Sequence, residues 1–127
     1  MVYLTIDRRR GEIAYCVAGH PPPLAIPPDG VPMWLDGANS GLLGRGRRRT
    51  STSLIATPGT VVVLYTDGLV ERRGEPLDEG LARLADAVRT LTAEERHNHA
   101  RRLAAMVASP QAIDDDVAVL YVTYLGA

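Results

Sequence analysis

Residues 2–6 alternate, with Val2, Leu4 and Ile6 separated by Tyr3 and Thr5, and the apolar pattern resumes over residues 12–17. A period of two is the mark of a strand with one buried face. Between the two runs lies Asp7-Arg8-Arg9-Arg10-Gly11, a polar turn with glycine at its end, so a β-hairpin is expected. Ala18-Gly19-His20-Pro21-Pro22-Pro23 must then end the strand, because three prolines cannot donate to a ladder. Short strands are expected at Leu24-Ala25-Ile26 and Val31-Pro32-Met33-Trp34-Leu35, around the turn Pro27-Pro28-Asp29-Gly30. Residues 36–49, rich in Gly, Ser, Asn and Arg, predict a mobile loop. Residues 50–57 form a further strand candidate, and Pro58-Gly59 turns the chain into the apolar run 61–65.

The period then changes. Leu81, Leu84, Ala85, Val88 and Leu91 lie on one face of a 3.6-residue repeat, which predicts a helix. A second helix is expected from Thr92-Ala93-Glu94-Glu95, where Thr92 and Glu95 match a capping box. Its apolar face is Ala100, Leu103, Ala104 and Val107, and Ser109-Pro110 ends it. The run 117–124 closes the chain as a strand. Helices grouped after antiparallel strands indicate an α+β fold with the helices on one sheet face.

With 127 residues, 46% of them hydrophobic, one domain with one core is expected. A net charge of -1 gives no general attraction to nucleic acid or anionic membrane. The single cysteine, Cys16, excludes an internal disulfide and is expected to be a small buried thiol. No apolar stretch approaches the roughly 20 residues of a membrane span, and no signal-peptide pattern opens the chain. The expected location is the cytoplasm.

The candidate chemistry lies in carboxylates. Asp67 follows the apolar run 61–65, and Asp114-Asp115-Asp116 precede the run 117–122. A carboxylate at a strand end is held by rigid backbone yet reaches solvent. Two of them on neighbouring strands would present hard oxygen ligands for Mg²⁺ or Mn²⁺. Asp67-Gly68 also fits an ordinary turn, and the triplet an exposed acidic one. Alternate side chains of an extended segment point opposite ways, so one of the triplet, or Asp114 with Asp116, could share a site with Asp67.

His20 could be a metal ligand or proton carrier, or could fix its proline-rich loop by bonding to backbone. His97 and His99 diverge by roughly 200° on a helix, cannot chelate one metal and are expected on the surface. Arg45 and Arg47-Arg48-Arg49 suit phosphate through their planar donor forks, or simply solvate the loop.

Three segments resemble one family. Tyr15-Cys16-Val17-Ala18-Gly19-His20-Pro21-Pro22-Pro23-Leu24 resembles a tyrosine/alanine-asparagine-alanine-glycine-histidine-proline signature, with Val17 in place of the usual asparagine. Leu64-Tyr65-Thr66-Asp67-Gly68-Leu69-Val70-Glu71 is similar to a second signature, and Asp115-Asp116-Val117-Ala118-Val119-Leu120 to a third. Together they resemble the sporulation-stage-II-E-like branch of the bacterial PPM-type, metal-dependent serine/threonine phosphatases.

The resemblance implies an α-β-β-α sandwich with mainly antiparallel sheets and two helices before the last strand. It implies Asp67 and Asp115 as metal ligands in a family site that holds two Mg²⁺ or Mn²⁺ ions. His20 falls where larger members carry a further metal-binding aspartate. Gly68, His20, Asp114 and Asp116 are therefore secondary candidates, with Arg45 and Arg47 as candidates for phosphate. The family's earlier aspartate-glycine motif has no counterpart here. Residues 1–127 accordingly correspond to the C-terminal part of the domain, with at most one metal, weak or absent activity alone, and an open sheet edge and open helix faces.

The implied partners are a phosphorylated protein (an anti-sigma-factor antagonist) and an upstream sensor or N-terminal phosphatase segment. The alternative is a non-catalytic half-domain or pseudophosphatase that acts as an interaction module, with a homodimer closing the exposed edge.

Overall fold

The alternation at the start of the chain does produce a hairpin. In the computed structural model, which describes residues 1–44, 48–91, 98–107 and 116–127, β1 (Val2–Asp7) pairs antiparallel with β2 (Glu12–Ala18). The Asp7 Oδ1 accepts the backbone N–H groups of Arg9 and Arg10 at 2.9 and 3.2 Å, which closes the turn. Gly11 has φ +64°, and a Cβ there would stand 2.6 Å from the Ala56 carbonyl oxygen. Only glycine meets both demands.

Apart from β5, the remaining elements follow in the expected order. They are β3 (Leu24–Ile26), β4 (Met33–Trp34), β5 (Asn39–Ser40), β6 (Thr52–Ile55), β7 (Val61–Tyr65), α1 (Leu77–Thr90), α2 (His99–Val107) and β8 (Val119–Thr123). One sheet has the order β1-β2-β5, with β6 also on β2; the other has the order β4-β3-β7-β8. The fold is α+β with mainly antiparallel sheets and both helices before the last strand, as expected.

Two compact units make up the chain, Met1–Val62 with Val122–Ala127 and Val63–Tyr121. In the first, Ile13, Tyr15 and Val17 alternate inward along β2 and are buried with Leu24, Ala25, Leu35 and Ala38. In the second, Leu84, Ala85 and Val88 of α1 are buried, as are Leu103 and Val107 of α2. Leu81 and Leu91, expected on the α1 face, are half-buried, and the capping box at residues 92–95 lies outside the described residues.

Four expectations are corrected. Residues 36–49 are not wholly loop, because Asn39 and Ser40 form β5, parallel to Val17 and Ala18. The Arg49 guanidinium donates to the carbonyls of Gly41 and Leu42 at 2.6 and 2.9 Å, which fastens the segment after β5. The strand expected at residues 31–35 shrinks to Met33–Trp34, since Pro32 has no N–H to donate. Cys16 is half-buried rather than buried: the core takes Ile13, Tyr15 and Val17, so alternation turns Cys16 to the other face, with Sγ 3.9 Å from Ser40 Oγ. His99 is not a surface residue. It shares the α2 face of Leu103 and Val107, at i, i+4 and i+8, and is only 3% exposed. Its ring meets that of Tyr121 edge-on, with centroids 4.6 Å apart.

Within the second unit, Glu75 holds two cations. It accepts a hydrogen bond from Arg83 Nη1 and lies 3.7 Å from Arg72 Nη1, while Arg72 Nη2 donates to the Val107 carbonyl at 2.9 Å. Glu75 thus ties the segment before α1 to α1, and through Arg72 to the end of α2. Glu75→Gln is expected to destabilise the chain by about 2 kcal/mol, at the low end for an ion pair of this burial because all three side chains keep some solvent contact. Urea unfolding measures this loss, and Asp86→Asn, which breaks the exposed Asp86–Arg89 pair, should barely move the urea midpoint.

Candidate metal centre

Strand β7 ends at Tyr65, and the chain stays extended at Thr66 before turning. A 3₁₀ turn spans Asp67–Leu69, with Gly68, Leu69 and Val70 buried and the Asp67 side chain exposed. The Asp67 carbonyl accepts the N–H groups of Val70 and Glu71 at 2.9 and 2.8 Å. Its Oδ1 accepts Gly68 N–H at 3.1 Å. A carboxylate offers about four lone-pair positions, so this bond orients the group and leaves it able to take further partners.

Thr66 decides what lies beside it. Its Oγ1 donates to the Asp116 carbonyl at 3.0 Å and accepts Ala118 N–H at 3.0 Å, while its own N–H donates to the Ala118 carbonyl at 3.0 Å. These three bonds bind the end of β7 to the segment leading into β8. Asp67 and Asp116, both exposed, therefore stand on adjoining backbone at one end of the sheet. Asp114 and Asp115 lie outside the described residues, as do Arg45 and Arg47. Among the described residues, no three His, Cys, Asp or Glu side chains gather as a metal-binding cluster.

His20 belongs to the first unit, where its Nδ1 is 2.7 Å from the Pro21 carbonyl oxygen. This contact engages the ring with backbone of its own loop, the structural alternative offered for it above. Thr66 and Gly80 are the residues that motif reading passes over. Thr66 could be suspected from a hydroxyl next to the strand-end carboxylate. Gly80 could not: a Cβ there would clash with the Val70 carbonyl oxygen, and nothing local distinguishes it from any other helical glycine.

Burial pushes the Tyr65 phenol well above its ordinary 10.0. The folded chain keeps this proton at a pH where the unfolded chain loses it, so the unfolded state binds fewer protons and stability falls as pH rises. The loss begins near pH 10 and steepens to about 1.4 kcal/mol per pH unit until the folded phenol itself ionises. The urea midpoint measured from pH 8 upward should therefore drop more steeply for the parent chain than for Tyr65→Phe.

The sequence model of the stage II sporulation protein E (SpoIIE) family matches residues 1–125. The chain belongs to the SpoIIE family. Solved structures agree in fold. The structure of the RsbU and RsbW domains of Rv1364c from Mycobacterium tuberculosis superposes with a TM-score of 0.84 at 30% identity, over 94% of this chain and 34% of that one. The PP2C phosphatase domain of SpoIIE from Bacillus subtilis, solved with a fragment of its regulatory domain, gives 0.72 at 17% identity, over 94% of this chain and 36% of that one. RsbX in complex with magnesium gives 0.62 at 14% identity, over 94% of this chain and 53% of that one. The chain thus spans between about a third and about half of these solved chains. The three motifs sit in the family they resemble, and this SpoIIE-family chain has the fold of PP2C-type phosphatase domains. No described helix is long and apolar enough to cross a membrane.

Proposed function

We propose that residues 1–127 are the C-terminal part of a PPM-type protein serine/threonine phosphatase domain, with Asp67 and Asp115 as ligands for Mg²⁺ or Mn²⁺. The observation that carries this reading is the Thr66 clamp, which joins the Asp67 turn to the backbone of Asp116, next to Asp115. The donor set suits the ion, since carboxylate oxygens are what hard divalent cations take. Magnesium bound to RsbX, a protein of similar fold, supports the same choice. When bound, such an ion would lower the pKa of a coordinated water and so furnish the nucleophile for phosphoester hydrolysis.

The chain's own residues do the holding. Gly68 N–H fixes the Asp67 carboxylate, Thr66 fixes the neighbouring segment, and Asp114 or Asp116 supplies further negative charge. Arg45 and Arg47 receive the substrate phosphate, and His20 holds its own loop through the Pro21 carbonyl. The substrate is a phosphorylated protein, by resemblance an anti-sigma-factor antagonist, in a cytoplasmic signalling pathway. Ligands beyond these two carboxylates come from residues outside this sequence, so the isolated chain turns over weakly or not at all.

Mn²⁺ calorimetry and phosphopeptide hydrolysis, on this chain and on the full-length protein, test the proposal. Weak metal binding by the chain, lost in Asp115→Asn, with turnover in the full-length protein, is the expected result. Binding indifferent to that substitution would sink the metal-site assignment and favour a non-catalytic interaction module.

A further inference from the structure

Residues 66–72 do more than carry the Asp67 carboxylate, because both ends of this segment hold other backbone. At the first end, Thr66 binds the backbone of Asp116 and Ala118. At the other, the Arg72 guanidinium donates from Nη2 to the Val107 carbonyl at 2.9 Å. Val107 is the last residue of α2 and is fully buried. Carbonyls in the last turn of a helix have no intrahelical partner, and one left unpaired in the interior is costly. A cation there also suits the negative end of the helix dipole. Arg72 therefore fixes where the chain leaves α2, as Thr66 fixes where it enters β8. Residues 108–115, which include Asp115, run between these two anchors.

Stability alone does not explain Arg72. Its Nε, with Nε and Nη2 of Arg83, is buried without a hydrogen-bond partner among the described residues. Apolar side chains of similar volume often match or exceed the stability of a buried ion network, the more so when donors go unpaired. They could not, however, hold the Val107 carbonyl from the segment that follows Asp67. Glu75 serves that geometry. One of its oxygens lies 3.7 Å from Arg72 Nη1 and the other takes Arg83 Nη1, so the Arg72 guanidinium is held in place from α1 while it reaches α2.

We infer that Arg72 is a positioning residue for the metal centre, given Asp67 and Asp115 as the ligands proposed above. It acts through the Val107 carbonyl on the chain that leads from α2 to Asp115. Arg72 has no acceptor atom and cannot ligate a cation itself. The physical reason is conformational entropy. A segment anchored at both ends samples fewer conformations than one anchored at a single end, and every backbone residue that metal binding must order opposes binding. With Arg72 in place, folding does that ordering beforehand. Without it, the ordering falls on the binding step and affinity drops.

Calorimetric Mn²⁺ titration and thermal melts of the full-length protein test this on Arg72→Met, Arg72→Lys and Arg83→Met. Both methionine variants take one cation from Glu75, so the melting temperature should fall in both, but only Arg72→Met releases Val107. Mn²⁺ binding about tenfold weaker is expected in Arg72→Met, the low end of what an outer partner of a metal ligand contributes. Arg83→Met should bind as the parent does. Arg72→Lys, whose ammonium can still donate to the carbonyl, should recover most of the affinity. Arg72→Gln, which shortens the side chain but keeps it polar, takes the place of Arg72→Met should that variant not fold. Equal losses in Arg72→Met and Arg83→Met would overturn the inference, because affinity would then follow stability alone. Parent-like binding in Arg72→Met would overturn it as well. Asp115→Asn, titrated alongside, tells the two levels apart. If it abolishes binding while Arg72→Met does not weaken it, only the role of Arg72 falls. If it leaves binding unchanged, the ligand assignment falls and the role of Arg72 with it.

Discussion

Asp67→Asn is expected to weaken Mn²⁺ binding by more than about 100-fold while leaving the fold intact. The magnitude follows from what lesser changes cost, because losing only an outer hydrogen-bond partner of a ligand already costs about 10- to 100-fold. Removing the charge of a carboxylate proposed to bind the metal directly should exceed that. The fold is expected to survive because the amide keeps an oxygen that can accept Gly68 N–H, and because the side chain is exposed. The melting temperature should therefore stay within the change usual for a surface substitution, about 0.5 kcal/mol in stability. Calorimetry and a thermal melt on the same samples separate the two effects. Lost binding together with a lost fold would mean that Asp67 serves the turn, and unchanged binding would remove it from the site.

Gly80→Ala should destabilise the chain by about 2–3 kcal/mol, opposite in sign to the gain of about 1 kcal/mol expected for the same change inside an ordinary helix. The new methyl group would be driven into the Val70 carbonyl, within 2.8 Å of its carbon, and both partners are backbone that no rotamer change can move aside. The consequence reaches the candidate site, because Val70 N–H bonds to the Asp67 carbonyl at 2.9 Å. A helix pushed away from Val70 loosens the turn that holds the carboxylate. A fall in melting temperature of about 10 °C, with weaker Mn²⁺ binding, is the expected pair of readings. Gly41→Ala is the control: its Cβ would meet nothing within 4 Å, and its backbone is not left-handed. Equal melting temperatures for the Gly80 and Gly41 variants would refute the close approach.

The site divides along similar lines. Asp67 could be found in the sequence because a lone carboxylate after five apolar residues is a local pattern, and the structure sets it at the end of β7. The role of Thr66 could not, since its hydroxyl bonds residues 50 and 52 positions away, a distance over which no periodicity carries information. His99 shows a subtler limit. Its angle to His97 follows from helix geometry alone, but which side of α2 is buried depends on what packs there, and the Tyr121 ring does. The fourteen-residue span 36–49 read as loop because its composition is polar, and Asn39 and Ser40 became a strand only because β2 offers them an unfilled edge.

Periodicity and turn chemistry act between residues a few positions apart, and for that reason the chain alone was enough for the hairpin, the order of the strands other than β5 and of the helices, the Leu84, Ala85 and Val88 face of α1 and the strand-end aspartate. Tertiary structure decided the parallel β5 pairing, the burial of His99, the half-exposure of Cys16, the Gly80–Val70 contact and the clamp that brings Asp116 beside the Asp67 turn. Each of these depends on which distant backbone arrives next to a residue, and in a sheet of non-consecutive strands that is settled by the joint packing of the whole unit.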